Sequence, residues 1–193
     1  MKSFAACALA VLLAPATVLT AGAQHQTFVV HPDASEVRMT LKTTHELVSG
    51  TFHIQSGSIE FDRGSLKMSG SVVVLAGSSK TGNDSRDKKM NKDILQVEQH
   101  ATVSFEPKSY AGTIAASGDS TIQVSGVFTL HGTPHELTVP MQIHIEGNSL
   151  TAKAHFVVPY VKWGLKDPSI FILKVAKEVE IDLTLMGRLS VSN

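Results

Sequence analysis

The sequence has little from which to build a reactive site. It holds one cysteine, Cys7, and that residue lies inside an apolar run at the N-terminus. Once that run is removed, no disulfide, no thiol nucleophile and no cysteine metal site remains. Lys and Arg together number 17, Asp and Glu together number 17, and the formal net charge is zero. The charges are scattered without a basic stripe, so nucleic acid is not an expected partner. A polybasic cluster and a second long apolar stretch are both missing, so no integral membrane segment is expected. No Gly-x-Ser-x-Gly elbow occurs. The run Gly77-Ser78-Ser79-Lys80-Thr81-Gly82 has the Lys-Thr of a phosphate loop, but Ser79 replaces the glycine before the lysine. No parallel strand–loop–helix surrounds it, so a nucleotide site is excluded.

What is present begins with an address. Lys2 precedes an apolar run over residues 4–14, too short to span a bilayer. Ala21-Gly22-Ala23 then offers a cleavage site. Residues 1–23 read as a signal peptide and residues 24–193 as one domain, with the protein periplasmic or secreted. Cys7 is followed by more of the apolar run, which is not the pattern of a lipoprotein anchor.

Beyond that point the dominant period is two. Val37, Met39 and Leu41 share a face; so do Phe52 and Ile54, and Ile59 and Phe61, with Gly57 between them as a bulge or bend. The even residues from Leu66 to Val74, and Ala101, Val103 and Phe105, continue the pattern. It is cleanest in Ile122, Val124, Gly126, Phe128 and Leu130, in Leu137, Val139, Met141, Ile143 and Ile145, in Leu150, Ala152, Ala154, Phe156 and Val158, and in Val179, Ile181, Leu183 and Leu185. Such alternation marks strands with one buried and one wet face, which antiparallel sheets permit. Gly147-Asn148, His131-Gly132-Thr133-Pro134 and Ser117-Gly118-Asp119 supply turns. About eight strands with this spacing predict an all-β sandwich or barrel. Residues 85–97 differ, with Met90, Ile94 and Val97 at helical spacing, and Asp84 or Ser85 is placed to cap that short helix.

A barrel of about eight strands is either just filled or holds one small ligand. Gly126, Ala152 and Ala154 on the inward face leave room that neighbouring Phe side chains either fill or do not. Across the last four strands the inward set contains no Asp, Glu, Lys, Arg or His. A cavity with that lining has no group for proton transfer, but it can bury alkyl chain. The nine histidines invite a metal reading. His131 and His135 flank a turn, while His144 and His155 fall out of register with the apolar set and should face solvent, so surface histidines are the expectation. Asn83-Asp84-Ser85 is a glycosylation sequon, relevant only to a eukaryotic secretory route. The aromatic segment 160–171 is long for a hairpin. It would gate a ligand, touch a membrane surface or simply pack Trp163 as a lid.

Several stretches together resemble the YceI-like family of polyisoprenoid-binding proteins. They are Asp33-Ala34-Ser35-Glu36-Val37, His45 with Gly50-Thr51-Phe52, Gly57-Ser58-Ile59-Glu60-Phe61-Asp62, Thr81-Gly82-Asn83-Asp84-Ser85-Arg86-Asp87, Ala101-Thr102-Val103-Ser104-Phe105, and Ser125-Gly126-Val127-Phe128-Thr129-Leu130-His131-Gly132 running into Val139-Pro140. The resemblance implies a lipocalin-like antiparallel barrel of eight strands with a tunnel for an isoprenoid or other long-chain amphiphilic lipid. It also implies a non-enzymatic, periplasmic role without a cofactor, in a family where some members are homodimers. Lys89 and Ala101 stand where the family often has His and Pro, and segment 160–171 departs from the commonest pattern.

On this basis the ligand's chain is expected among Phe52, Phe105, Ile122, Phe128 and Phe156. Tyr160, Trp163 and Phe171 are expected to close one end, and Asn83 and Arg86 to donate to a polar head. Arg86 has an equal alternative as a tie between helix and barrel, and Asp87 is expected to pair with Arg86 or support the helix start. Other classes remain open: a stress-related chaperone or interaction module with a packed barrel, and an enzyme acting on a quinone-like substrate.

Overall fold

Period-two alternation calls for strands, and the computed structural model, which describes residues 25–191, forms nine of them. They are β1 (His25–Val30), β2 (Glu36–Lys42), β3 (Leu47–Asp62), β4 (Met68–Lys80), β5 (Thr102–Gly112), β6 (Gly118–Leu130), β7 (Thr133–Glu146), β8 (Ser149–Val158) and β9 (Val179–Val191). All pairings are antiparallel. β1 and β2 both lie between β3 and β9, so they fill one position of the ring, and the β3–β4 pairing completes it. Nine strands therefore make a closed barrel of eight positions, the lipocalin-like all-β fold expected. Closure leaves no open sheet edge. The residues assigned to the signal peptide lie outside the described residues.

The split between β1 and β2 has a local cause. Pro32 cannot donate to a ladder, and residues Pro32–Ala34 form one turn of 3-10 helix. The gap is patched by the neighbouring strand β9: His31 N donates to Met186 O at 2.8 Å, and Met186 N donates to the Ser35 hydroxyl at 2.9 Å. The sheet thus stays sealed where the strand breaks.

β3 continues through Gly57 rather than bending there. The register shifts fall earlier, between Thr51 and His53 and between Ile54 and Ser56. An extra residue on one strand turns the following side chains to the other face. Phe52 and Ile54 point inward before the shift, and Ile59 and Phe61 after it. Ser78 satisfies the backbone at the irregularity, accepting from His53 N at 2.7 Å and donating to Leu75 O at 2.6 Å. At Gly57 a Cβ would lie 2.6 Å from a Val30 methyl carbon, so glycine there serves close packing of β1 on β3.

The helix is shorter than the sequence pattern, and its cap is one residue earlier than expected. Asn83 is the N-cap, its side chain accepting from Arg86 N at 3.0 Å, ahead of α1 (Asp84–Lys89). A π-helical turn, Met90–Ile94, follows and closes with Leu95 N donating to Met90 O at 2.9 Å. The widened turn brings Met90, Ile94 and Leu95 to the barrel interior.

Strand directions sort the connections. The helix, the β2–β3 turn, the His131–Gly132 turn and segment 159–178 all lie at one end, here the helix rim. The β3–β4, β5–β6 and β7–β8 turns lie at the far rim, with the start of β1 and the end of β9. Tyr110, Ile114 and Phe28 are buried in the main core, and Tyr110 Oη donates to Asp62 O at 3.3 Å near the far rim.

Gly70 shows how tightly β3 and β4 approach. Its φ is +95°, and a Cβ there would stand 2.0 Å from Ser58 O. Gly147 in the β7–β8 turn has φ +57° with open space around it. Gly70→Ala should cost more than about 3 kcal/mol, since it adds a backbone clash to strained φ. Gly147→Ala should cost about 1–2 kcal/mol from φ alone. Urea denaturation of both variants measures the difference.

Candidate functional site

Eight positions of mostly apolar inward side chains leave an internal cavity of about 220 Å³. Its wall is drawn from every strand, from the π-helical turn and from Tyr160 and Leu165 of segment 159–178. The lining contains no Asp, Glu, Lys, Arg or His, and only Ser104 and Tyr160 bring a side-chain hydroxyl. The Tyr160 hydroxyl donates to Ala176 O at 2.6 Å. Burial, reinforced by Asp167, pushes its pKa up to about 12, so it stays neutral across physiological pH. Such a wall offers no side chain that is charged near neutral pH, and it excludes water from what it holds. Four methionines, Met39, Met68, Met90 and Met141, are part of it, and their unbranched thioethers adapt readily to an irregular guest.

Of the residues expected to meet a ligand, Phe52, Phe105, Ile122, Phe128, Phe156 and Tyr160 all line this cavity. Phe128 and Phe156 meet edge to face, ring centres 6.3 Å apart. Trp163 sits one layer behind the wall. Its ring lies 5.8 Å from Phe128 and stacks on His135 at 4.1 Å with 5° between planes. It therefore packs as a lid on the helix-rim cluster of Leu130, Val158, Tyr160 and Leu165. Phe171 is not brought to the same place. It projects from segment 159–178 with 94% of its surface exposed.

Asn83 and Arg86 stand at the helix rim but are engaged with the protein. Asn83 caps the helix. Arg86 donates to Thr81 Oγ1 at 2.9 Å and Thr81 O at 3.0 Å, and pairs with Glu46 of the β2–β3 turn at 2.8 Å. Asp87 is buried and accepts from Thr81 N at 3.1 Å and Thr81 Oγ1 at 2.6 Å, rather than pairing with Arg86. Asn91 adds a second tie, accepting from Ser79 Oγ at 2.9 Å and donating to Gly77 O at 3.2 Å. These bonds tie the helix to the end of β4 and to the β2–β3 turn.

Three histidines give this rim its polar character. His100 and His131 face each other with ring centres 4.1 Å apart, and the Nε2 atoms of His131 and His135 are buried without a partner. Burial holds the His131 pKa below the usual histidine value, and His100 adds to the effect. His144 and His155 face solvent, as their register requires, hydrogen-bonded to Asp119 at 2.7 Å and Asp182 at 2.8 Å. Among the described residues no three His, Cys, Asp or Glu side chains converge to hold a metal, and no helix is long and apolar enough to cross a membrane.

Two outcomes follow from these contacts. Arg86→Ala should lower stability by about 1–2 kcal/mol through the lost bonds to Thr81 and Glu46 while leaving the cavity intact. Thermal melting, with lipid binding assayed in parallel, checks this. His131, disfavoured as a cation in the fold, contributes stability that is present above its ordinary value of 6.5 and lost as pH falls through the lower folded value. His131 has φ +54°, which Asn tolerates. His131→Asn should therefore flatten the fall in urea midpoint on acidification below that point.

Comparison with known proteins agrees with this geometry. The model of the YceI-like domain matches residues 28–186. A UPF0312 protein of Vibrio parahaemolyticus is 26% identical over 182 residues, covering 91% of this chain and 94% of the relative. Among solved structures, BcnA of Burkholderia cenocepacia superposes with TM-score 0.67 at 22% identity, covering 82% of this chain and 99% of that one. A structure described as a polyisoprenoid binding domain from Saccharophagus degradans, implicated in plant cell wall breakdown, gives TM-score 0.64 at 14% identity, covering 84% and 98%.

Proposed function

The chain belongs to the YceI-like family, and from that premise we propose that it is a non-catalytic carrier holding an isoprenoid or other long-chain amphiphilic lipid in its barrel. The observation that supports this reading most is the cavity wall, built from all nine strands without one charged or imidazole side chain. Such a wall favours alkyl chain by area alone, at about 0.8 kcal/mol per buried methylene. The Saccharophagus degradans neighbour, by its description, binds polyisoprenoid. The reading places the protein in the periplasm or outside the cell after loss of residues 1–23.

The polar end of the lipid lies at the helix rim in this reading. Nε2 of His131 and Nε2 of His135 lie buried at that rim without a hydrogen-bond partner, outside the cavity lining, while Arg86 and Asn83 would have to leave Glu46 and the helix cap to donate to a head group. Phe52, Phe105, Ile122, Phe128 and Phe156 hold the chain, with Tyr160 and Trp163 closing over it. At about 220 Å³ the cavity is smaller than the range of about 300–1,000 Å³ common for ligand pockets. A long chain therefore requires the four methionines to yield.

Native mass spectrometry of the protein purified from its source, followed by organic extraction, tests the reading. One co-purifying long-chain species supports it. A ligand-free mass unchanged by added isoprenoid returns the barrel to the alternative of an interaction module that acts through its outer surface. Ala152, inward and buried, offers a directed check. Ala152→Phe should fill the cavity and weaken lipid binding at least about tenfold, at about 1–3 kcal/mol of overpacking that leaves the circular dichroism spectrum unchanged.

A further inference from the structure

Segment 159–178 has an inner and an outer side with opposite chemistry. Its inner side supplies Tyr160 and Leu165 to the cavity wall. Its outer tip is three consecutive apolar residues, Ile170, Phe171 and Ile172, exposed by 58%, 94% and 74%. Tip exposure of this kind is not a packing accident of a loose loop, because the segment is fastened on both sides. Ile170 N donates to Leu173 O at 2.9 Å, closing the turn that carries the tip. Thr44 N donates to Lys174 O at 2.9 Å, Lys174 N donates to Thr44 Oγ1 at 2.8 Å, and Ala176 N donates to Lys42 O at 2.8 Å. The base of the tip is thus stitched to the end of β2 and the β2–β3 turn. Leu47, three residues past Thr44, adds a further apolar side chain to the same rim at 66% exposure.

The charges around the tip are mostly of one sign. Lys162, Lys166, Lys174 and Lys177 are all exposed, and none forms a salt bridge among the described residues. Of the two acids in the segment, Asp167 is half-buried, accepts from Ser169 N at 2.9 Å and feels the charges of Lys174 and Lys177, which leaves Glu178 as the exposed one against four lysines. A protruding apolar point on a segment that carries four exposed lysines fits one kind of surface well: an interface with hydrocarbon below and anionic groups above. The apolar residues enter the acyl boundary, and the lysine stems lie along it with their ammonium groups at the phosphates. A flat protein partner would leave such a point with little to bury against, and the excess of lysine on the segment opposes a second copy of the same rim.

We infer that the Ile170-Phe171-Ile172 tip docks the helix rim of the barrel on the surface of an anionic lipid bilayer. The docking stands on the tip and its lysines and does not need the cavity to be occupied. It also sets the cavity's polar rim against the membrane, where a lipid could pass between bilayer and barrel without crossing water.

The test is sedimentation of the protein with vesicles of equal parts phosphatidylglycerol and phosphatidylcholine, against vesicles of phosphatidylcholine alone. Binding to the first, weakened by salt and reduced at least about tenfold by Phe171→Asp, is the expected result. A Phe171→Trp variant should add a blue-shifted emission on those vesicles, which a docking surface elsewhere on the barrel would not produce. The substituted residue is almost wholly exposed, so the fold, read by circular dichroism and thermal melting, should not change. Absence of sedimentation, or sedimentation indifferent to Phe171→Asp, overturns the inference. So does a dimer that Phe171→Asp dissolves while vesicles fail to bind, since the tip then meets a second copy of the chain.

Discussion

Closure of the sheet is the constraint from which the rest follows. Once the β3–β4 and β9–β1/β2 ladders are made, every inward side chain is cut off from water, and a charge placed there would have to be paired or neutralised. An apolar interior is the simple solution, and this chain adopts it along all nine strands. The same closure displaces every polar function to the two rims. At the far rim short turns and aromatic packing finish the barrel. At the helix rim the chain spends its long connections, and there the histidines, the arginine and the lysines collect.

The period-two pattern makes β6 to β9 legible in the amino-acid order itself, since each runs straight and keeps one parity. It is less informative where the parity changes. In β3 the inward face passes from Ile54 to Ile59 because an extra residue enters the ladder before Gly57. No residue type announces that shift, which depends on how β4 pairs. The break between β1 and β2 has a visible cause in Pro32, but nothing in the pattern indicates that both halves share one position in the ring. Helical spacing marks where the helix lies and misses its geometry. A π-helical turn selects Leu95 over Val97 for the interior, a choice governed by packing under the barrel end.

Legibility of the site divides along the same line. The chain-binding candidates follow from alternation, and Phe52, Phe105, Ile122, Phe128, Phe156 and Tyr160 all reach the cavity wall. The polar candidates do not follow from any period. Asn83 and Arg86 are donors in a suggestive place, yet capping and the Thr81 and Glu46 contacts engage them first. His135 carries a signal of its own: it shares parity with Leu137 and Val139, which aims it toward the inner face at the rim. Phe171 is close to Tyr160 and Trp163 in sequence, while a tight turn between Ile170 and Leu173 carries it outward.

The first residues of β1 and the last of β9 are paired with each other, Gln26 beside Val191. They sit at the far rim, a full strand length from the helix, the histidines and segment 159–178. Anything attached to residue 25 or residue 191 is therefore held on the opposite pole from the helix rim. A support coupled through residue 25 or 191 would present every molecule in one orientation, helix rim outward, and a sensor surface built in this way would keep that rim unobstructed.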